Sequence, residues 1–466
     1  MTSARRVRFN FALDRAVALA SELKRPLLIL EALRCDYPWA SDRFHSFVID
    51  GMAANAAALE GRAVGYYPYI EPSPGAGRGL LAALADRACA VVTDWSPGFF
   101  LPRMAEAAAR KVAVPLEAVD SNGIIPVAAH GRAFPTARGY RAFMQRTLKA
   151  HVRTVPAADP LDALGGAAAA EVPAEILARW PPASAAQLAG APGSLAALPI
   201  DHTVGPVALR GGADAAGRRL AHFLAAGLDR YAEAHNQPGV DATSRLSPYL
   251  HFGHLSVHEI FSALMTRERW TTRRLGGGAA GAREGWWGVS PSAEMFLDQL
   301  LVWRELAFNG AAWTPDFETY ASLPAWARQT LEAHLSDPRP HLYDLPTLEA
   351  AATDDEVWNA AQRQLVSDGW FHGYLRMLWG KKILEWSAHP AEALATMTHL
   401  MNRYSLDGRD PVGAASFAWV LGRYDRPWPE RPVFGTVRCM TSASTRRKLK
   451  LAPYLERYGP PETRLF

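Results

Sequence analysis

Apolar runs of strand length alternate with alanine-rich helical stretches over the first third of this chain, and then the alternation stops. Residues 26–33, 89–93 and 112–119 are short and apolar enough to be buried strands. Between and around them, residues 51–60, 79–87 and 103–111 have helical composition. Parallel strands need a crossover and helices supply it, so this pattern predicts a doubly wound parallel α/β sheet domain. The chain opens on a helical stretch, residues 11–23, where a domain of this kind starts on a strand. The expectation is a sheet whose first strand is missing or is replaced by another segment.

The rest reads differently. Residues 153–207 are rich in Ala, Pro and Gly, and Pro156, Pro160, Pro182, Pro192 and Pro199 break any long helix. That composition predicts an inter-domain linker. Residues 276–281 read as a shorter flexible loop. Beyond Gly211 helical patterns dominate, as in 217–236, 292–309 and 355–387, and no period-two alternation is convincing. The expected organisation is an α/β domain over 1–150, a linker over 151–210 and an all-helical domain over 211–466. A chain of 466 residues suits two domains.

Composition excludes several classes. No stretch reaches the roughly 18 apolar residues that span a bilayer, and residues 1–10 lack the apolar run of a secretory signal. Cys35, Cys89 and Cys439 are too few and too scattered for a disulfide framework or a zinc site, so a reducing cytoplasm is the expected setting and no metal is expected. A net charge of +4 permits a polyanionic partner without demanding one. Most of the 15 tryptophans fall after residue 260.

The most informative segment is DATSRLSPYLHFGHLS (241–256). Thr243, Ser244 and Ser247 gather hydroxyls and backbone amides just ahead of Pro248, which suits the first turn of a helix. Such a turn binds an anion or simply caps the helix, and the residues alone leave both readings open.

TSRLSPYLHFGHLS is similar to the flavin-phosphate segment of the photolyase/cryptochrome superfamily. DQLLVWREL (298–306), VWNAAQRQLVSDGWFHGYLRMLWGKKILEW (357–386) and NRYSLDGRDPVGAASFAW (402–419) resemble class II photolyases in order and spacing, with a weaker match in TDWSP (93–97). The resemblance covers the chain from about residue 5. It implies light-driven, flavin-dependent repair of cyclobutane pyrimidine dimers in DNA, that is, a deoxyribodipyrimidine photo-lyase, with non-covalent flavin adenine dinucleotide (FAD). It implies flavin-phosphate contacts from Tyr231, Thr243, Ser244, Leu246, Ser247 and Arg304, and an ion pair of Arg376 with Asp407 beside the flavin ring. Trp358, Trp379 and Trp386 coincide with an electron-carrying tryptophan triad, expected to pass electrons from Trp386 through Trp379 to Trp358. Trp303 and Trp419 match two aromatics that sandwich a flipped dimer, and Met377 matches a methionine packed against it. Aromatics at helical spacing are also what an ordinary core contains.

Four departures accompany the match. Gln299 stands where dimer-repairing photolyases carry a lesion-contacting glutamate, and it brings neither a proton nor a charge. Met401 stands where an asparagine faces flavin N5, unless Asn402 takes that role. The first strand is absent, and PVGAAS (411–416) lacks the usual Asn and Tyr. Gln299 and Met401 suit a cryptochrome-like photoreceptor. Repair of six-four photoproducts needs histidines near the lesion, and only His251 and His372 are placed for it. Damaged DNA is the expected partner, with RRKLK (446–450) a candidate contact, no membrane, and a monomer. An antenna chromophore, deazaflavin or folate, is left undetermined.

Overall fold

The computed structural model describes residues 1–164 and 168–460. Its chain forms two compact units, one of residues 1–130, 147–221 and 245–272, the other of 131–146, 222–244 and 273–466. The boundaries thus differ from those expected at 150 and 210, because residues 245–272 cluster with the first unit and 131–146 with the second.

In the first unit, helix α1 (Phe11–Leu23) opens the regular structure as expected, capped by the Asn10 side chain on the amides of Ala12 and Leu13. Strands β1 (Leu28–Leu33) and β2 (Gly65–Ile70) pair in parallel with Leu28 opposite Gly65, and β3 (Val91–Trp95) pairs in parallel with β4 (Leu116–Asp120). Helices α2 (Asp42–Leu59) and α4 (Leu101–Ala109) supply the crossovers within these pairs, and α3 (Leu80–Ala85) lies between β2 and β3 in the chain. The strands pair as two two-stranded sheets among the described residues, where one continuous doubly wound sheet was expected. Residues 1–4 bond to both: the Met1 amino group donates to the Leu30 carbonyl, and the Ala4 amide donates to the Asp94 carboxylate.

Strand β2 escapes a reading by pattern because Pro68 interrupts it. Strand β1 buries Ile29, Glu31 and Leu33 on one face. A buried carboxylate needs partners. Arg5 Nη1 at 3.1 Å, Asn55 Nδ2 at 2.9 Å and the Tyr66 hydroxyl at 2.7 Å supply them.

The proline-rich stretch is not a free linker. Prolines chop it into the short helices Ala174–Arg179 and Ala185–Leu188, but its apolar side chains still pack. Ile176 and Trp180 join Tyr67, Tyr69 and Leu80 in one buried cluster, and Trp180 Nε1 donates to the Ala76 carbonyl.

The second unit is helical among its described residues. Four helices carry its core: α5 (Glu356–Asp368), α6 (Gly373–Trp386), α7 (Pro390–Tyr404) and α8 (Pro411–Val420). The predicted helical stretch 355–387 is therefore two helices. Asp355 caps the first on the Trp358 amide, and Gly369, at φ 64°, ends it in the left-handed conformation that glycine adopts without penalty. Val357, Leu365, Leu375, Leu378, Ile383, Met397 and Leu400 fill the space between them.

Candidate active site

The stretch Arg304–Trp313 follows directly on a π-helical run, Asp298–Trp303, and packs against α8. Single-turn π segments recur at functional sites because the wider turn re-aims side chains. This one contains both Gln299 and Trp303. Gln299 is exposed, and Trp303 and Arg304 are partly buried.

Arg376, on α6, and Asp407, in the loop before α8, are buried and paired. The Arg376 Nη2 group donates to both carboxylate oxygens at 3.1 Å. Ser405 adds a hydroxyl bond to Asp407 at 2.5 Å. Two buried opposite charges hold only with such extra bonds, since desolvation costs each of them several kcal/mol. The Nε of Arg376 lies buried with no hydrogen-bond partner among the described residues.

Asp410 belongs to the same group, and sequence reading passed over it. Its side chain caps α8 by accepting from the Gly413 amide at 2.7 Å. Desolvation pushes its carboxyl up to about 7 against that hydrogen bond, and Asp407 adds to the push while Arg304 and Arg376 oppose it. The electrostatic coupling ties Arg304 to the Arg376–Asp407 pair. In sequence Asp410 reads only as a cap before a proline.

Met401 is fully buried near the end of α7, where its carbonyl accepts from the Ser405 amide. Asn402 spends its side-chain oxygen on the Arg409 amide at 2.7 Å, so that atom fixes the loop.

The three tryptophans expected to form a relay come together, in an order other than the one expected. Trp358, on α5, is stacked on Trp379 with centroids 6.2 Å apart and planes 3° from parallel. It also meets Trp386 edge-on at 5.5 Å. Trp358 is therefore the middle ring. Trp379 and Trp386 are seven residues apart on α6, which separates them by about 10 Å along the axis, and an indole from the neighbouring helix fills the gap. At the inner end, Phe371 touches Trp379 at 5.6 Å and lies under the Arg376 guanidinium at 5.2 Å. The row of rings thus reaches the ion pair through Trp379 and Phe371.

Trp419 is partly buried on α8. Two cations face its ring, Lys381 Nζ at 5.1 Å and the Arg438 guanidinium at 5.5 Å. Burial pulls Lys381 down to about 7, against the attraction of Asp425. Met377 is partly buried on α6. His372 is buried and caps α6 by accepting from the Tyr374 amide, so its Nδ1 is taken up by the helix end.

Tyr231 is buried, edge-on to Phe223 at 5.8 Å, and desolvation and Asp298 raise its phenol. Thr243 and Ser244 follow in the same unit, and both are partly buried. Arg245 takes φ 52° between Ser244 and Leu246, a strained conformation of the kind that gathers at functional turns. The five-residue helix that follows, Ser247–His251, has Leu246 at its cap position and no side-chain cap. The simple capping reading of these hydroxyls therefore fails at that helix.

The described residues hold no group of three or more His, Cys, Asp or Glu side chains suited to a metal. The cysteines are free, and no described helix is long and apolar enough to cross a membrane.

No family model matches the chain. It is 33% identical over 463 residues to the deoxyribodipyrimidine photo-lyase of Methanothermobacter thermautotrophicus, an alignment covering 98% of this chain and 93% of that one. It is 30% identical over 470 residues to the deoxyribodipyrimidine photo-lyase of Potorous tridactylus, covering 99% and 81%. A class III photolyase from Agrobacterium tumefaciens, solved by crystallography, shares the fold with a TM-score of 0.69 at 16% identity, over 98% of this chain and 85% of that one. With full-length likeness of this kind, the chain belongs to the photolyase family of the photolyase/cryptochrome superfamily.

Proposed function

We propose that this protein splits cyclobutane pyrimidine dimers in DNA under blue light, in the manner of class II photolyases, with FAD as its cofactor. The observation that carries the reading is the contiguous row of Trp386, Trp358 and Trp379, ending at the buried Arg376–Asp407 pair. A row of touching indoles leading to a buried charge pair is more than packing requires.

The residues suit an isoalloxazine ring. The buried Nε of Arg376 and the buried side-chain nitrogen of Gln362 are donors without a protein acceptor among the described residues, and the ring's carbonyl and imine edge offers acceptors. Arg376 and Asp407 would hold the ring, and Tyr231, Thr243, Ser244, Leu246, Ser247 and Arg304 would hold the phosphates. When bound, FAD supplies a light-excited one-electron donor.

The chain's own part is binding, orientation and electron supply. Trp386, Trp358 and Trp379 hand electrons inward. Trp303 and Trp419 offer flat faces for bases turned out of the duplex, which a lesion must reach before chemistry acts on it. The cations behind Trp419 hold that indole in place. Met377 packs beside the bases, and Gln299 donates or accepts a hydrogen bond at their edge without supplying a proton.

The test uses FAD-loaded, photoreduced protein mixed with dimer-containing DNA under blue light. Loss of the dimer is expected. Intact photoreduction without splitting would replace repair by a photoreceptor role, which Gln299 and Met401 favour, and splitting of six-four lesions alone would change the substrate.

A further inference from the structure

The side chains proposed above to stand beside the bases, Gln299, Trp303, Met377 and Trp419, are all neutral. The bases become negative when they receive an electron, and a desolvated negative charge is stabilised most by a fixed positive one set beside it in advance. A candidate for that charge lies behind Trp419.

Lys381 is fully buried on α6, with no carboxylate paired to it among the described residues. Its Nζ donates to the carbonyl of Val420, the last residue of α8, and faces the Trp419 ring at 5.1 Å. A helix C-terminus and an indole face both favour a cation. Together they fall short of the hydration that a buried ammonium gives up, and a methionine would join α6 to α8 without that cost. Packing alone therefore does not account for this residue.

The groups around Lys381 leave its charge uncancelled. Asp425 attracts it, but Asp425 is held by Arg438, whose Nε lies 2.9 Å from the carboxylate, and it also accepts from Trp428 Nε1 at 3.2 Å. Arg438 lies over both indoles, 4.1 Å from the Trp428 ring and 5.5 Å from that of Trp419. Cys439 is the other titratable neighbour, and burial pushes its thiol up, so it stays neutral near neutral pH. Asp425 and Arg438 sum to zero, and the net charge at Trp419 is the one on Lys381. Because that ammonium is wholly inside the protein, the ring face it meets is the inner one. A base arriving from solvent takes the other.

We infer that Lys381 is a positioning residue of the repair reaction, holding a positive charge behind the Trp419 indole where the electron placed on the stacked bases is stabilised; the inference rests on the repair reading above. One electron from the cofactor arrives on the dimer, the two carbon–carbon bonds that join the pyrimidines break, and one electron returns to the cofactor. No oxidant or reductant is consumed and no proton has to move, which agrees with a glutamine at position 299. The charge on Lys381 acts while the electron is on the bases.

The experiment measures dimer splitting per absorbed blue photon by the FAD-loaded, photoreduced full chain under saturating DNA, from about pH 6 to about pH 9. In parallel, fluorescence anisotropy in the dark gives the affinity for the same dimer-containing oligonucleotide. Burial pulls Lys381 down to about 7, so its charge is lost as pH rises through this range. The wild-type yield is expected to fall several-fold from the acid to the alkaline end. Lys381→Met should give a low yield that does not follow this fall, with affinity within about twofold of the wild type. Lys381→Arg, whose charge does not titrate here, should restore the yield and hold it level. Asp410 is the other buried group that titrates in this range, so the wild-type fall should persist in Asp410→Asn, an arm that needs no change at Lys381. A yield in Lys381→Met equal to that of the wild type throughout would overturn the role. So would a lowered affinity with an unchanged yield, the mark of a residue that merely holds Trp419 in place, or a fall in yield that disappears in Asp410→Asn. A wild type that photoreduces but splits no dimer would sink the repair reading itself, and this inference with it.

Discussion

Asp410 shows how one side chain carries two duties that conflict. As the cap of α8 it serves best as an acceptor, whichever its charge. As a neighbour of Asp407 in a desolvated site, it is pushed toward the protonated form, with its carboxyl up at about 7. The sign of the consequence follows from proton counting. In the unfolded chain the carboxyl ionises near its ordinary value of about 4. Between about pH 4 and 7 the folded protein keeps a proton that the unfolded chain has released, so stability falls as pH rises through that window and levels off above it. Asp410→Asn retains the capping oxygen and removes the titration. Urea unfolding across this range should give the variant a flatter profile than the wild type and an advantage on the order of 2 kcal/mol at its alkaline end. Parallel profiles would mean that Arg304 and Arg376 hold the carboxyl ionised throughout. The same two arginines and Asp407 are charges that act on this group.

Among the elements, α6 does the most, since it supplies Arg376, Trp379, Lys381 and Trp386, with only the two indoles sharing a face. It must therefore lie close to both α7 and α8, and Gly380 is where it does so. A Cβ there would stand 2.7 Å from Val420 Cγ2 and 3.0 Å from Met397 Sδ. Alanine gains about 1 kcal/mol of helix preference, but overpacking costs about 1–3 kcal/mol. The clash wins, and Gly380→Ala should lower the urea midpoint by up to about 2 kcal/mol in stability with an unchanged slope; a rise in midpoint would show that Val420 yields freely. Much of this layout was legible in the sequence, and the exceptions have physical reasons. Helix α1 and three of the four strands follow from apolar runs, whereas β2 hides behind Pro68. The stretch read as a linker has the prolines of one, but Ile176 and Trp180 anchor it where composition is blind to three-dimensional packing. The Arg376–Asp407 pair follows from the motifs. The order of the indoles does not, because a seven-residue spacing reports which face of α6 two rings share and says nothing of Trp358 arriving between them from α5.

At the scale of the whole molecule, charge limits how DNA is held. Fifty Lys and Arg side chains face 46 Asp and Glu, so the excess of +4 gives little long-range pull and the affinity must come from local contacts with phosphates. Several surface arginines are already spent on carboxylates: Arg446 pairs with Glu356 at 2.5 Å, and Arg15 with Glu117 at 2.6 Å. On the exposed last turn of the Ser442–Lys448 helix, Arg447 and Lys448 stand beside Arg446, with Lys450 just beyond. Two outcomes are open to this cluster, and salt separates them. Each phosphate contact contributes about −0.9 to the slope of log affinity against log salt concentration. If Arg447 and Lys448 grip the backbone, the double change Arg447→Ala with Lys448→Ala should make that slope shallower by about 2 and weaken damaged and undamaged duplexes alike, since phosphate contacts carry no sequence or lesion information. The ratio between the two duplexes should stay where it was, because discrimination is proposed to lie with the aromatic faces of Trp303 and Trp419. A slope unchanged within error, measured by fluorescence anisotropy over a salt series, would mark the cluster as an ordinary solvated face and move the search for the phosphate contacts elsewhere on the protein.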